Sequence, residues 1–383
     1  MSPVAVALLL SAFAPPQDPP RPLPEPVEVF TAGERGYHTF RIPAVVRTND
    51  GALLAFAEGR VNGSGDSGDI DIVLKRSTDG GASWGPLQVV ADNGPGVFGN
   101  PTPVVERESG DVVLLCVRQP EDCHENQIRG SVKGSRDPWV LRSSDGGRIW
   151  SGPQPAGPQA DRPDWRWYAT GPCHAIQLRN GPHAGRLVAP ANFSVAGGPE
   201  NSYLGAHLLL SDDGGRTWRI GAVDASHVGE NTINPSETAV AELDNGWLYA
   251  NTRDQHGESP ETRAGTWSED GGASFNAAFA PIRGLEGPVC QGALLDAGIH
   301  EGRETLLFSG PSDPGARKRL ALRVSFGGGF DWKEARMLYE GPAAYSDLVA
   351  LEPGRFGCLF EADGYGRILF QPFGFEHLDL RPL

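Results

Sequence analysis

With 383 residues, the chain can hold one large all-β domain or two ordinary ones. Gly (51) and Pro (33) are plentiful, 21% of residues are charged, and long amphipathic helical patterns are missing, which favours many short strands joined by turns. A formal net charge of −15 argues against nucleic acid and against an anionic membrane surface as partners. An anionic ligand therefore has to be drawn in by a local cluster of Arg, against the overall field.

Residues 4–14 (VAVALLLSAFA) form an apolar run ending in Ala12-Phe13-Ala14, which reads as a signal peptide over 1–14, although no Lys or Arg precedes it. Eleven residues are too few to span a bilayer, so export to the periplasm or medium is expected, with no transmembrane segment. The Pro-rich stretch 15–26 reads as an extended spacer. Six strand–turn–strand segments follow, at 40–60, 100–118, 173–193, 237–253, 290–310 and 345–362, each an apolar pair of runs around a Gly-, Asn- or Asp-containing turn.

Between them stand four copies of one eight-residue turn: STDGGASW from Ser77, SSDGGRIW from Ser143, SDDGGRTW from Ser211 and SEDGGASF from Ser268. A fifth, SFGGGFDW from Ser325, has Gly327 in place of the Asp. Asp-Gly-Gly suits a tight hairpin with positive φ angles, and the Ser and Asp side chains can bond nearby amides. The serines are 66, 68, 57 and 57 residues apart, a period that suits one four-stranded sheet per repeat. The expected fold is an all-β, six-bladed β-propeller of four-stranded antiparallel blades over 27–383. The sixth repeat lacks an Asp turn, and VEVFTAG (27–33) can supply its missing strand and close the ring. Five Cys (116, 123, 173, 290, 358) form no metal-like pairing; Cys116 and Cys123 either bridge a loop or stay buried thiols. No His-x-x-x-His or Cys-x-x-Cys spacing suggests a metal, and no cofactor is expected.

In an antiparallel blade, the start of strand one, the end of strand two and the start of strand three share one end. Arg41, Glu237 and Tyr345 begin first strands; Arg60, Arg253 and Glu361 end second strands. Asp66 lies in a loop between strands two and three, and Arg317 opens a third strand. These residues converge on one face, while the Asp turns face away and belong to structure. Asp69 and Asp71 alternate along a strand and serve the blade. Trp165, Trp167 and Tyr168 precede a first strand, where they line a ligand pocket or pack in the core. His174 invites a catalytic role that the chemistry below does not need.

The chain resembles the exo-sialidases (neuraminidases) of bacterial and animal type. The resemblance is carried by FRIP (40–43), AFAEGR (55–60), GDSGDIDIV (65–73), the Asp turns, 237–254, ARKRLALRVSF (316–326) and AYSDLVALEPGRFGCLFE (344–361), and it covers essentially 28–383. It implies that Arg41, Arg253 and Arg317 clamp the carboxylate of a sialic acid, with Arg319 competing with Arg317 for the third place. It further implies Tyr345 as nucleophile with Glu237 as its base, Asp66 as acid and then base, and Glu361 as the support of Arg41. Arg60 is either a substrate contact or a loop anchor.

Such chemistry wants such residues. Planar guanidinium groups match a carboxylate in bidentate fashion, and several can surround it. A carboxylate nucleophile would be repelled by the substrate's own charge; a neutral phenol is not, but needs a base to take its proton. A Tyr nucleophile in sialidases is a known exception to the two-carboxylate scheme of glycoside hydrolysis. The expected activity is retaining hydrolysis of terminal α-linked sialic acids from oligosaccharides, glycoproteins or glycolipids. The alternatives are a trans-sialidase or intramolecular trans-sialidase on the same residues, or a non-catalytic Asp-turn propeller that binds a glycan.

Overall fold

The computed structural model describes residues 19–121, 123–130, 135–195, 204–224, 233–256 and 262–381; the signal-peptide reading of 1–14 lies outside them. Among the described residues, helix is confined to Glu125–Arg129 and three 3-10 turns, and no helix is long and apolar enough to cross a membrane. The rest is strand and turn, as the Gly- and Pro-rich composition suggests.

Strands Thr39–Arg47, Leu53–Arg60, Ile70–Ser77 and Gln88–Ala91 pair antiparallel in chain order. The same four-strand sequence recurs from Val97–Val105, from Trp165–Thr170, from Pro235–Glu242 and from Ala293–His300. A sixth group, Lys333–Glu352, Arg355–Ala362 and Arg367–Gly374, takes its fourth strand from the N-terminus: Val27–Thr31 lies antiparallel to Arg367–Gly374, as the sequence suggests. Hydrogen bonding nevertheless joins the strands into four sheets, not six. Lys333–Glu352 is one continuous strand that ends one group and begins the next, and a single parallel bridge, Ile70 to Val97, links the first two groups.

The first strands of successive groups pack side by side in chain order, with the short strand Ile176–Gln177 taking that place in the third group, and the last of them lies against Thr39–Arg47. Val45, Val104, Ile176, Val240, Leu294 and Val349, one from each group, line a common cavity. Asp347, fully buried, ties three of the groups together: it accepts the Val45 amide (2.9 Å), the His174 amide (3.0 Å) and His174 Nδ1 (2.7 Å). Burial works to lower the His174 pKa, but the charge and hydrogen bond of Asp347 raise it above the usual imidazole value. His174 is thus a clasp between groups.

Residues 19–26 of the Pro-rich stretch are docked on the domain. The Arg21 amide donates to the Glu376 carbonyl, Gln371 donates to the Pro24 carbonyl, and Leu23 packs on the core. All five Cys are buried free thiols, so the Cys116–Cys123 bridge is not formed.

Each Asp turn is a self-contained knot. Ser211 Oγ donates to Asp213 (2.8 Å) and accepts from the Gly215 amide (2.8 Å), while Asp213 accepts the amides of Arg216 and Thr217. Ser77, Ser143 and Ser268 repeat the pattern with Asp79, Asp145 and Asp270. In the fifth turn the Ser325 bond to the Gly329 amide survives without the Asp. Burial presses the Asp213 pKa upward, but bonds from Thr217, Ser211 and Arg216 pull it down to about 2. Its stabilisation is therefore complete above the usual carboxylate value near 4 and fades as pH falls through about 2. Asp213→Ala is expected to cost about 1–3 kcal/mol in denaturant melts at neutral pH.

Candidate active site

At the end of the domain opposite the Asp turns is a cleft open to solvent. Arg41, Arg60, Asp66, Glu237, Arg253, Arg317 and Tyr345 all line it. Tyr345 is the hub. Its hydroxyl donates to Glu237 Oε1 and accepts from Arg253 Nη1 (3.1 Å), and its ring lies 5.2 Å from the Arg41 guanidinium carbon and 5.5 Å from that of Arg317. Arg253 Nη1 also bonds Glu237 Oε2 at 2.6 Å. Glu361 sits behind the cleft, fully buried, and takes Arg41 Nε (3.0 Å) and Nη2 (3.3 Å) together with the amides of Ile42 (2.9 Å) and Tyr345 (3.1 Å). Arg319 instead points to the surface and pairs with Glu340 at 2.7 Å, so Arg317 is the third guanidinium in the cleft.

Strand irregularities aim these side chains. Register shifts fall between Arg41 and Ala44, between Pro235 and Thr238, and between Ala343 and Ser346. Ile42 adopts φ 57 at the first of them. A bulge re-aims its residue and bends the strand, and bulges are over-represented beside active sites. Here they fall at Arg41, Glu237 and Tyr345.

The charges are strongly coupled. Burial raises the Tyr345 pKa well above the usual phenol value; Glu237 adds to this, and Arg253 and Arg317 oppose it. The resting side chain is therefore a neutral phenol with a hydrogen-bonded carboxylate. Asp66 is two-thirds exposed in the cleft, yet surrounded closely enough for desolvation to press its pKa upward. Arg60, at 2.8 Å, and Arg41, at 3.9 Å, outweigh that and hold it below its usual value. Arg60 is itself buried and anchored by Glu58 (2.9 Å), which also accepts the Asn100 amide (2.7 Å). Arg60 is thus both a loop anchor and a lining residue of the cleft.

Several lining residues were not singled out by sequence. Arg136 is buried, stacks 4.0 Å over Trp167 and leaves its Nε without a partner. It immediately precedes strand Asp137–Ser143, the place Arg317 holds before Lys318–Ser325, so the strand-end rule could have found it. Glu125, in the only α-helix among the described residues, lies in a strand-two-to-three loop and was findable the same way. The aromatic cluster forms a strand of its own, Trp165–Thr170, ahead of the short strand Ile176–Gln177. A register shift between Trp165 and Tyr168 separates its members. Trp167 lines the cleft, while Trp165 stacks on Phe193 at 3.8 Å and Tyr168 bonds His207 in the core. Asp71 accepts from the Tyr37 hydroxyl (2.6 Å) and serves the first group, as expected. The described residues contain no cluster of three metal-ligating side chains.

Residues 51–358 match the model of the BNR repeat-like domain. A sialidase of Micromonospora viridifaciens is 33% identical over 360 residues, 89% of this chain, which spans 52% of that relative's length. An exo-alpha-sialidase of Aspergillus fumigatus is 30% identical over 86% of this chain and 80% of its own, and mouse sialidase-2 is 29% identical over 88% and 93%. Among solved structures, Hadza microbial sialidase Hz136 superposes with a TM-score of 0.79 at 27% identity, over 91% of this chain and 68% of that one. The β-propeller-type fold, the repeated Asp turns and these matches agree, and the chain belongs to the sialidase family.

Proposed function

We propose that this protein is an exo-acting, retaining sialidase that removes terminal α-linked sialic acid from glycoconjugates. In this reading the domain is a closed ring of six blades, which the side-by-side order of the first strands supports. One observation carries the functional reading: a buried neutral tyrosine bonded to Glu237 and flanked by three guanidinium groups, at the wall of an open cleft.

Arg41, Arg253 and Arg317 hold the substrate carboxylate, which places the anomeric carbon over the Tyr345 hydroxyl. Glu237 takes the phenol proton as oxygen attacks, so no free phenolate has to persist beside the substrate's charge. Asp66 protonates the leaving oxygen and afterwards activates water. In the free protein Arg60 and Arg41 favour its ionised form. A bound carboxylate shares the charge of Arg41, which lifts the Asp66 pKa toward the acid form when that form is needed. Glu361 holds both Arg41 and the backbone of Tyr345, and export of the protein fits extracellular glycoconjugates as substrates.

The test is release of a fluorophore from an α-sialoside by wild type and by Tyr345→Phe. Release by wild type and near-complete loss in the variant supports the reading. No release by wild type would make the domain a glycan binder, and transfer of the sugar to an acceptor or to its own hydroxyl would make it a transferase.

A further inference from the structure

Tyr365 sits in the turn between strands Arg355–Ala362 and Arg367–Gly374, with φ 76, a left-handed conformation that costs a tyrosine backbone strain. The turn is held from several sides. The Asp363 amide donates to the Pro342 carbonyl, the Gly366 carbonyl accepts the Ala32 amide, and the Asp363 side chain binds Arg367 Nε at 2.6 Å. Gly364, next door, shows that glycine suits this turn, so a ring at 365 is not there for the backbone.

The ring lies 4.2 Å from the Arg41 guanidinium carbon, nearer than the ring of Tyr345 at 5.2 Å. Its hydroxyl accepts from Arg317 Nη1 at 3.4 Å. Among the described residues, Arg41 has Glu361 and Arg253 has Glu237, but the bonds of Arg317 go to neutral acceptors, the Tyr365 hydroxyl and the Val289 carbonyl. A guanidinium oriented without a counter-ion keeps its full charge for an incoming anion.

We infer that Tyr365 is a positioning residue of the carboxylate clamp: its ring and hydroxyl set the planes of Arg41 and Arg317 without neutralising either. This rests on the sialidase reading above. Removing a residue that stabilises ground state and transition state alike raises KM and leaves kcat in place.

The test measures kcat, KM, thermal stability and the Kd of a non-hydrolysable 2,3-unsaturated sialic acid for wild type, Tyr365→Phe and Tyr365→Gly. Tyr365→Gly relieves the strain, so its melting temperature should hold or rise. Its KM and the analogue's Kd should rise by roughly tenfold, with kcat within about threefold. Tyr365→Phe should show only about a twofold effect. If Tyr365→Gly fails to fold, Tyr365→Asn, which tolerates the same φ, carries the same expectation. Analogue affinity within twofold of wild type in the ring-less variant, or a fall in kcat at unchanged KM, would overturn the inference. Absence of both hydrolysis and binding in wild type would instead bring down the sialidase reading, and this inference with it.

Discussion

Tyr345→Phe is expected to lower kcat by at least about a thousandfold while leaving KM within a few-fold of wild type. The substitution keeps the ring, so its packing against Ile42, Cys290 and Ala344 and its contacts with Arg41 and Arg317 persist. Glu237 and Arg253 retain their own 2.6 Å bond, so neither is left unpaired. Only the oxygen that would form the covalent bond is lost. Steady-state kinetics on an α-sialoside check it, and a loss under about tenfold would mean that the hydroxyl is not the attacking group.

Glu361→Ala should be the most damaging change to the fold around the cleft. Its carboxylate is fully buried and receives four hydrogen bonds, two from Arg41 and two from backbone amides. Removing it leaves a buried guanidinium whose other carboxylate, Asp66, is 3.9 Å away, and two amides with nothing to bond. The expected cost is about 3–5 kcal/mol, or roughly 5 °C in Tm for a domain of this size. Because the lost carboxylate holds both the clamp and the Tyr345 backbone, kcat/KM should fall by about a hundredfold or more. Differential scanning calorimetry and kinetics on the same preparation check both. A variant as stable and as active as wild type would show that Arg41 and Tyr345 are held by other means.

Much of this site is visible in the sequence because antiparallel topology fixes which strand ends meet. Arg41, Arg60, Arg253, Glu361 and Arg317 follow from that rule once the hairpins are placed, and the 16-residue spacings of Glu237 to Arg253 and Tyr345 to Glu361 mark single hairpins. Arg136 and Glu125 obey the same rule and were passed over because no motif surrounds them. The bulges at Arg41, Glu237 and Tyr345 could not be read, since an inserted residue changes the facing of its neighbours without altering residue type. The same limit left open which of Trp165, Trp167 and Tyr168 faces the cleft and which pack in the core. Merging of sheets was hidden for a different reason. Gly341-Pro342 looks like a break, yet the chain runs through it as strand, from Lys333 to Glu352. Tyr365 carries no signal in sequence, being one aromatic in a glycine-flanked turn whose direction depends on three left-handed residues.

Stereochemistry at the first turnover tests most directly whether a phenolic oxygen forms and then yields a bond to the sugar. Proton NMR of wild-type protein acting on an α-linked sialoside resolves the two anomers of the released acid before they equilibrate. Double displacement through Tyr345 delivers the α anomer first. Early accumulation of the β anomer would mean direct attack by water, and Tyr345 would then have no covalent part in the reaction.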